Sequence, residues 1–228
     1  MTFYLVALLL LGCATEAAFI MQEHKQHLLA ALLLKAAASL FFVFAGFVAF
    51  SLTTLPVFGR MVVLGLMLGA IGDVCLNLRF LLVGHAKVIF PFGIGSFLLG
   101  HIFYLIALIG LDPTALLLAA PVAAIVSYAM IRFILARVEV SGANKVFGIV
   151  FLCVVLLMAC ASVALFALDV QNPGRAVFAA GALLFAASDV LLVLNQFGKK
   201  AYPALRPLNL SLYYLGQVCI CLTIALMH

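Results

Sequence analysis

Two aspartates lie deep inside apolar runs, and closely similar residues frame both. Asp73 sits in Leu68-Gly69-Ala70-Ile71-Gly72-Asp73-Val74-Cys75-Leu76, and Asp189 in Leu184-Phe185-Ala186-Ala187-Ser188-Asp189-Val190-Leu191-Leu192. A carboxylate at membrane depth is costly and marks a functional site by default. Two carboxyls sharing a low-dielectric site cannot both ionise freely. One stays protonated while the other carries charge, and the pair titrates as a unit. That is the equipment for acid–base work: one group delivers a proton, and the other orients water or steadies a developing cation.

The elements that hold these acids follow from composition. The chain has 228 residues, of which 68% are hydrophobic and 8% charged. A soluble domain is about half apolar and about a quarter charged, so this is an integral membrane protein with no space for a separate soluble domain. A transmembrane helix needs roughly 20 apolar residues. Eight runs qualify: 2–21, 28–52, 59–79, 88–110, 113–136, 144–168, 175–197 and 206–227. A β-barrel would show shorter runs with period-two alternation. The expected fold is therefore all-α, a single polytopic helix bundle over 1–228. The first run lacks a basic leader region and reads as a retained helix, not a signal peptide.

An offset of 116 relates the two aspartates, and it extends further. Gly65 falls on Gly181, Ala70 on Ala186, Pro91 on Pro207, Gly100 on Gly216, and His101 on Gln217. The pattern suggests a parallel four-plus-four repeat with halves at about 1–112 and 113–228, of the kind related by an axis along the membrane normal.

The net charge of +5 gives orientation. Odd-numbered loops and their flanks carry Lys25, Arg79, Lys87, Arg132, Arg137, Lys145, Lys199, Lys200 and Arg206; even-numbered loops carry Arg60 and Arg175. The positive-inside rule puts the odd loops in the cytoplasm and both termini outside. In a bacterium this would be the inner membrane.

With a rise of about 1.5 Å per residue, Glu16, Lys35, Asp73, His101, Asp189, Tyr213, Tyr214 and Gln217 fall roughly 9–20 Å from the cytoplasmic face. They come from six helices yet occupy one layer, which implies a cavity, with walls expected at Gly65, Gly69, Gly93, Gly95 and Gly100. Each also has a plainer reading. Lys35 could snorkel, Glu16 could sit near a helix end, His101 could bond helix to helix, and the tyrosines could form an aromatic belt. Asn77 and Asn195 read as interface residues. The six cysteines, at 13, 75, 153, 160, 219 and 221, show neither zinc nor Cys-x-x-Cys spacing and read as small buried hydrophobes.

The motifs resemble the lysoplasmalogenase, or YhhN-like, family of membrane proteins. The likeness rests on Gly72-Asp73, on Phe92, Phe97, His101 and Tyr104, on Ser188-Asp189, and on Tyr213-Tyr214 with Gln217. The family's Lys-Pro pair reads Lys35-Ala36 here. The resemblance implies hydrolysis of the vinyl ether bond of lysoplasmalogens, giving a fatty aldehyde and glycerophosphocholine or glycerophosphoethanolamine. The expected catalytic residues are Asp73 and Asp189. Lys35, His101, Tyr213, Tyr214, Gln217 and Glu16 would bind substrate or tune the pair. The expected partners are a lysophospholipid, water and membrane lipid, with no nucleic acid, cofactor or metal.

Two rivals stand beside this reading. An intramembrane aspartyl protease also uses two helix-borne aspartates, but the expected Tyr-Asp is absent, and Pro203-Ala204-Leu205 lies in a loop. A proton-coupled transporter would also use buried acids and a duplicated half.

Overall fold

The computed structural model describes residues 2–200, 202 and 204–228; the side chain of Ala143 is also outside the description. Pro203 of the Pro-Ala-Leu run therefore lies outside the described residues. Among the described residues, eight helices are long and apolar enough to cross a membrane. They are α1 Thr2–His24, α2 Leu28–Phe50, α3 Pro56–Leu81, α4 Ala86–Leu111, α5 Thr114–Leu135, α6 Gly142–Leu168, α7 Pro173–Phe197 and α8 Leu205–Leu226. In lipid every backbone polar group must be satisfied within the protein, and uninterrupted helices do this segment by segment. The protein is an integral, multi-pass membrane protein.

Local chemistry sets the helix ends. Pro56 and Pro173 open α3 and α7 at a position where no amide hydrogen is needed. Asn172 caps α7: its side-chain oxygen accepts from the amides of Gly174 and Arg175 at 3.0 and 3.3 Å. Between α1 and α2 the chain reverses within three residues, and Gln26 takes a φ of 63° to do so. This tight turn brings Lys25 and Gln26 to the rim of the site described below.

The most extensive pairings are α3 with α4 and α7 with α8, and both depend on the same device. A Cβ on Gly100 would lie 3.1 Å from the Gly65 carbonyl oxygen, and one on Gly216 would lie 3.2 Å from that of Gly181. These contacts are the same under the offset of 116. Gly65 also accommodates the Tyr104 ring, while Gly181 accommodates Ile220, the residue equivalent to Tyr104. Subtracting 116 moves α6, α7 and α8 onto 26–52, 57–81 and 89–110, close to α2, α3 and α4. The architecture is thus compatible with the duplicated half.

Small residues admit such close approach where the hydrophobic effect cannot drive helices together. Most of the glycines expected as cavity walls serve this purpose instead. Gly93 packs on Cys75, Gly100 on Gly65, and Gly69 beneath Gln217 and Tyr213. Among the described residues Cys221 is a buried cysteine, Cys13 faces outward, and the other four are half-buried.

Polar ties complete the bundle. Ser188 and Asn209 bond reciprocally between α7 and α8: Asn209 Nδ2 donates to the Ser188 carbonyl at 2.7 Å, and Ser188 Oγ donates to the Asn209 carbonyl at 3.0 Å. The ends of α1 and α8 are joined by a two-pronged ion pair between Glu23 and Arg206.

Candidate active site

Six helices converge on the two aspartates, and the two halves of the bundle equip them differently. Asp73, on α3, is 1% exposed. Its Oδ1 lies 3.1 Å from Lys35 Nζ of α2. Its Oδ2 accepts from Ser39 Oγ at 2.7 Å and from Tyr213 OH of α8 at 2.9 Å. Gln217, one turn after Tyr213, donates to that phenol oxygen at 2.6 Å. A carboxylate has about four lone-pair sites. Three are occupied by donors, one of them a cation.

Lys35 does not snorkel: it is 3% exposed. Its ammonium lies 4.9 Å from the centre of the Phe19 ring, and 5.8 and 5.7 Å from those of Tyr213 and Tyr214. An aromatic cage partly replaces the water that a buried cation loses. Tyr213 and Tyr214 therefore belong to the interior and not to an aromatic belt. Glu16, on α1, is buried next to this group, within electrostatic reach of Lys35, Asp73 and Tyr214. Among the described residues, neither Glu16 oxygen nor the Tyr214 hydroxyl makes a hydrogen bond of good geometry.

Asp189, on α7, has a sparser setting. Among the described residues its Oδ2 has no hydrogen-bond partner, and His101 Nε2 lies 3.7 Å from it. His101, on α4, is held by the rings of Tyr104, Phe151 and Phe185. Its Nδ1 is 2.8 Å from the Phe97 carbonyl oxygen. A carbonyl only accepts, so Nδ1 carries the hydrogen and a neutral ring leaves Nε2 bare. Nε2 then faces a carboxyl oxygen. Two acceptors in that position repel unless a proton lies between them.

Both aspartates line one inner cavity of about 20 Å³, together with Lys35, Ser188, Arg206, Asn209, Tyr213 and the apolar side chains of Leu76, Phe97, Leu192 and Leu210. That is room for about one water. Glu16, His101, Tyr214 and Gln217 are not among its lining residues and stand behind them. On the odd-loop side lies a vestibule of about 690 Å³, bordered by the α1–α2 turn and the ends of α3, α7 and α8. Arg206 and Leu210 border both spaces. Asn195 lines the vestibule, while Asn77 is buried with its amide nitrogen unpartnered among the described residues.

Ser39 and Asn209 escape a reading of the sequence. Ser39 had one usable signal: it follows Lys35 by four residues and so shares its helix face. Asn209 lies near the start of α8, where an amide carries no distinctive pattern.

The model of the YhhN family matches this chain over residues 29–224. The chain belongs to the YhhN family. No curated protein matches it, and neither does any solved structure. The YhhN match includes Lys35, Asp73, His101, Asp189, Tyr213, Tyr214 and Gln217, whereas Glu16 lies ahead of it.

Proposed function

We propose that this YhhN-family protein hydrolyses the vinyl ether of a lysoplasmalogen, with Asp189 as proton donor and Asp73 as the ionised partner. The observation that carries this reading is the unequal surroundings of two aspartates on one cavity. Asp73 is met by an ammonium and two hydroxyls, and Asp189 faces only a histidine nitrogen, at 3.7 Å. Such divergence is how paired carboxyls come to hold different roles.

A vinyl ether resists nucleophiles but reacts with acid. Asp189 gives its proton to the outer alkene carbon. The π pair forms the new C–H bond, and the adjacent carbon becomes an oxocarbenium ion. Asp73 steadies that cation electrostatically and orients a water at its remaining lone-pair site. Water adds to the cationic carbon and loses a proton, which returns the acid to its starting state. The hemiacetal then collapses to a fatty aldehyde and the glycerophospho alcohol, with net consumption of one water. His101 holds the proton at Asp189 between turnovers, and Lys35, Ser39, Tyr213 and Gln217 fix Asp73.

A cavity that holds one water excludes bulk solvent from the cation. The alkenyl chain needs more space, and Leu210, between cavity and vestibule, is the side chain whose rotation would provide it. Incubating the purified protein with a lysoplasmalogen and its saturated alkyl-ether analogue tests the assignment. Cleavage of the vinyl ether alone, lost in D73N and D189N, is expected. Cleavage of both lipids, or of neither, would refute it.

A further inference from the structure

The vestibule carries chemistry that acid catalysis does not use. Its wall holds Lys25, Arg79 and Arg206 against one carboxylate, Glu23. Arg79 is unusual among these because it is only 8% exposed, near the end of α3. Its guanidinium is held 4.7 Å from the ring centres of both Phe80 and Phe90, and Nη2 donates to Gln196 at 2.8 Å. Its Nε is buried without an acceptor among the described residues. Arg206 uses Nε and Nη2 on Glu23, at 3.0 and 2.6 Å, so the ion pair fixes its plane and leaves Nη1 for another acceptor. Two oriented guanidinium groups on one wall, each with donor capacity left, match the oxygens of a phosphodiester better than a diffuse cationic surface would. Arg206 also borders the inner cavity. A phosphate held there would leave the rest of a glycerolipid adjoining the aspartates.

We infer that the vestibule is a phosphodiester-binding site in which Arg79 and Arg206 hold the headgroup phosphate of a single-chain glycerolipid. This rests on the lysolipid reading above and adds where the lipid is gripped. The test measures binding and not turnover. Purified protein in detergent is titrated with a saturated alkyl-ether lysophospholipid, with the matching 1-O-alkylglycerol, which lacks the phosphate, and with inorganic phosphate as competitor.

Loss of one charge-assisted contact should weaken lysophospholipid binding roughly 10–100-fold in R79Q, leaving alkylglycerol binding unchanged. R206Q should act in the same direction, and it carries the test if R79Q does not fold. Equal weakening of both lipids, or of neither, would overturn the site. So would displacement by millimolar phosphate in a wild type that does not prefer the phospholipid over the alkylglycerol, which would make it a free-anion site. If binding depends on the arginines but no vinyl ether is cleaved, the headgroup site stands and the hydrolase reading falls. Cleavage without arginine-dependent binding gives the converse.

Discussion

Removing Lys35 alone should harm the protein more than removing Lys35 and Asp73 together. Breaking a buried ion pair on one side strands a charge, at a cost of about 3–5 kcal/mol. K35M should therefore lower the thermal unfolding midpoint in detergent, and K35M/D73N should recover part of the loss. A double mutant no more stable than K35M would mean that the Lys35–Asp73 contact of 3.1 Å carries little coupling.

Catalysis separates from stability at the same positions. General acid–base groups typically contribute 10²–10⁴-fold, so D189N should lose at least about 100-fold in kcat while remaining folded. H101Q should lower kcat and leave KM nearly unchanged, because His101 faces Asp189 and does not line the inner cavity; kcat identical to wild type would remove His101 from its positioning role.

The two aspartates were legible in the sequence because acids are rare in apolar helices. Their partners were less so. That Lys35 turns to Asp73 and His101 to Asp189 depends on the rotational phase of each helix, which packing decides and a single sequence does not display. Ser39 was hidden for a related reason: a serine in a membrane helix usually bonds its own backbone.

At the level of elements, the glycine contacts make a paired prediction. G100A and G216A each push a methyl against a carbonyl oxygen of the facing helix, and over-packing of this kind costs about 1–3 kcal/mol. Both variants should lower the unfolding midpoint by similar amounts. Gly110 has nothing within 4 Å of its would-be Cβ, so G110A should be neutral or slightly stabilising. Unequal losses at Gly100 and Gly216 would show that the two hairpins do not rely on one packing device. Helix spans were read correctly from run length alone, since hydrocarbon thickness fixes how long an apolar stretch must be. The glycines were misread as cavity walls because a small residue marks close approach equally well whether the neighbour is a ligand or another helix.

For the whole molecule, the vestibule opens on the side where nine of the twelve Lys and Arg residues gather. From the positive-inside rule we propose that this side faces the cytoplasm. A cysteine placed at Lys199 in a cysteine-free background should react with an impermeant maleimide only after the membrane is opened from the cytoplasmic side; labelling of intact cells would invert the topology. Cavity size was not legible at all, because it depends on how lining side chains such as Leu192 and Leu210 pack.

The central claim is that a protein acid protonates carbon. Turnover of a lysoplasmalogen in deuterium oxide, with the aldehyde reduced at once by borohydride and examined by mass spectrometry, tests this directly. One deuterium on the carbon next to the former aldehyde carbon is the expected result. A product with no deuterium at that carbon would contradict the mechanism.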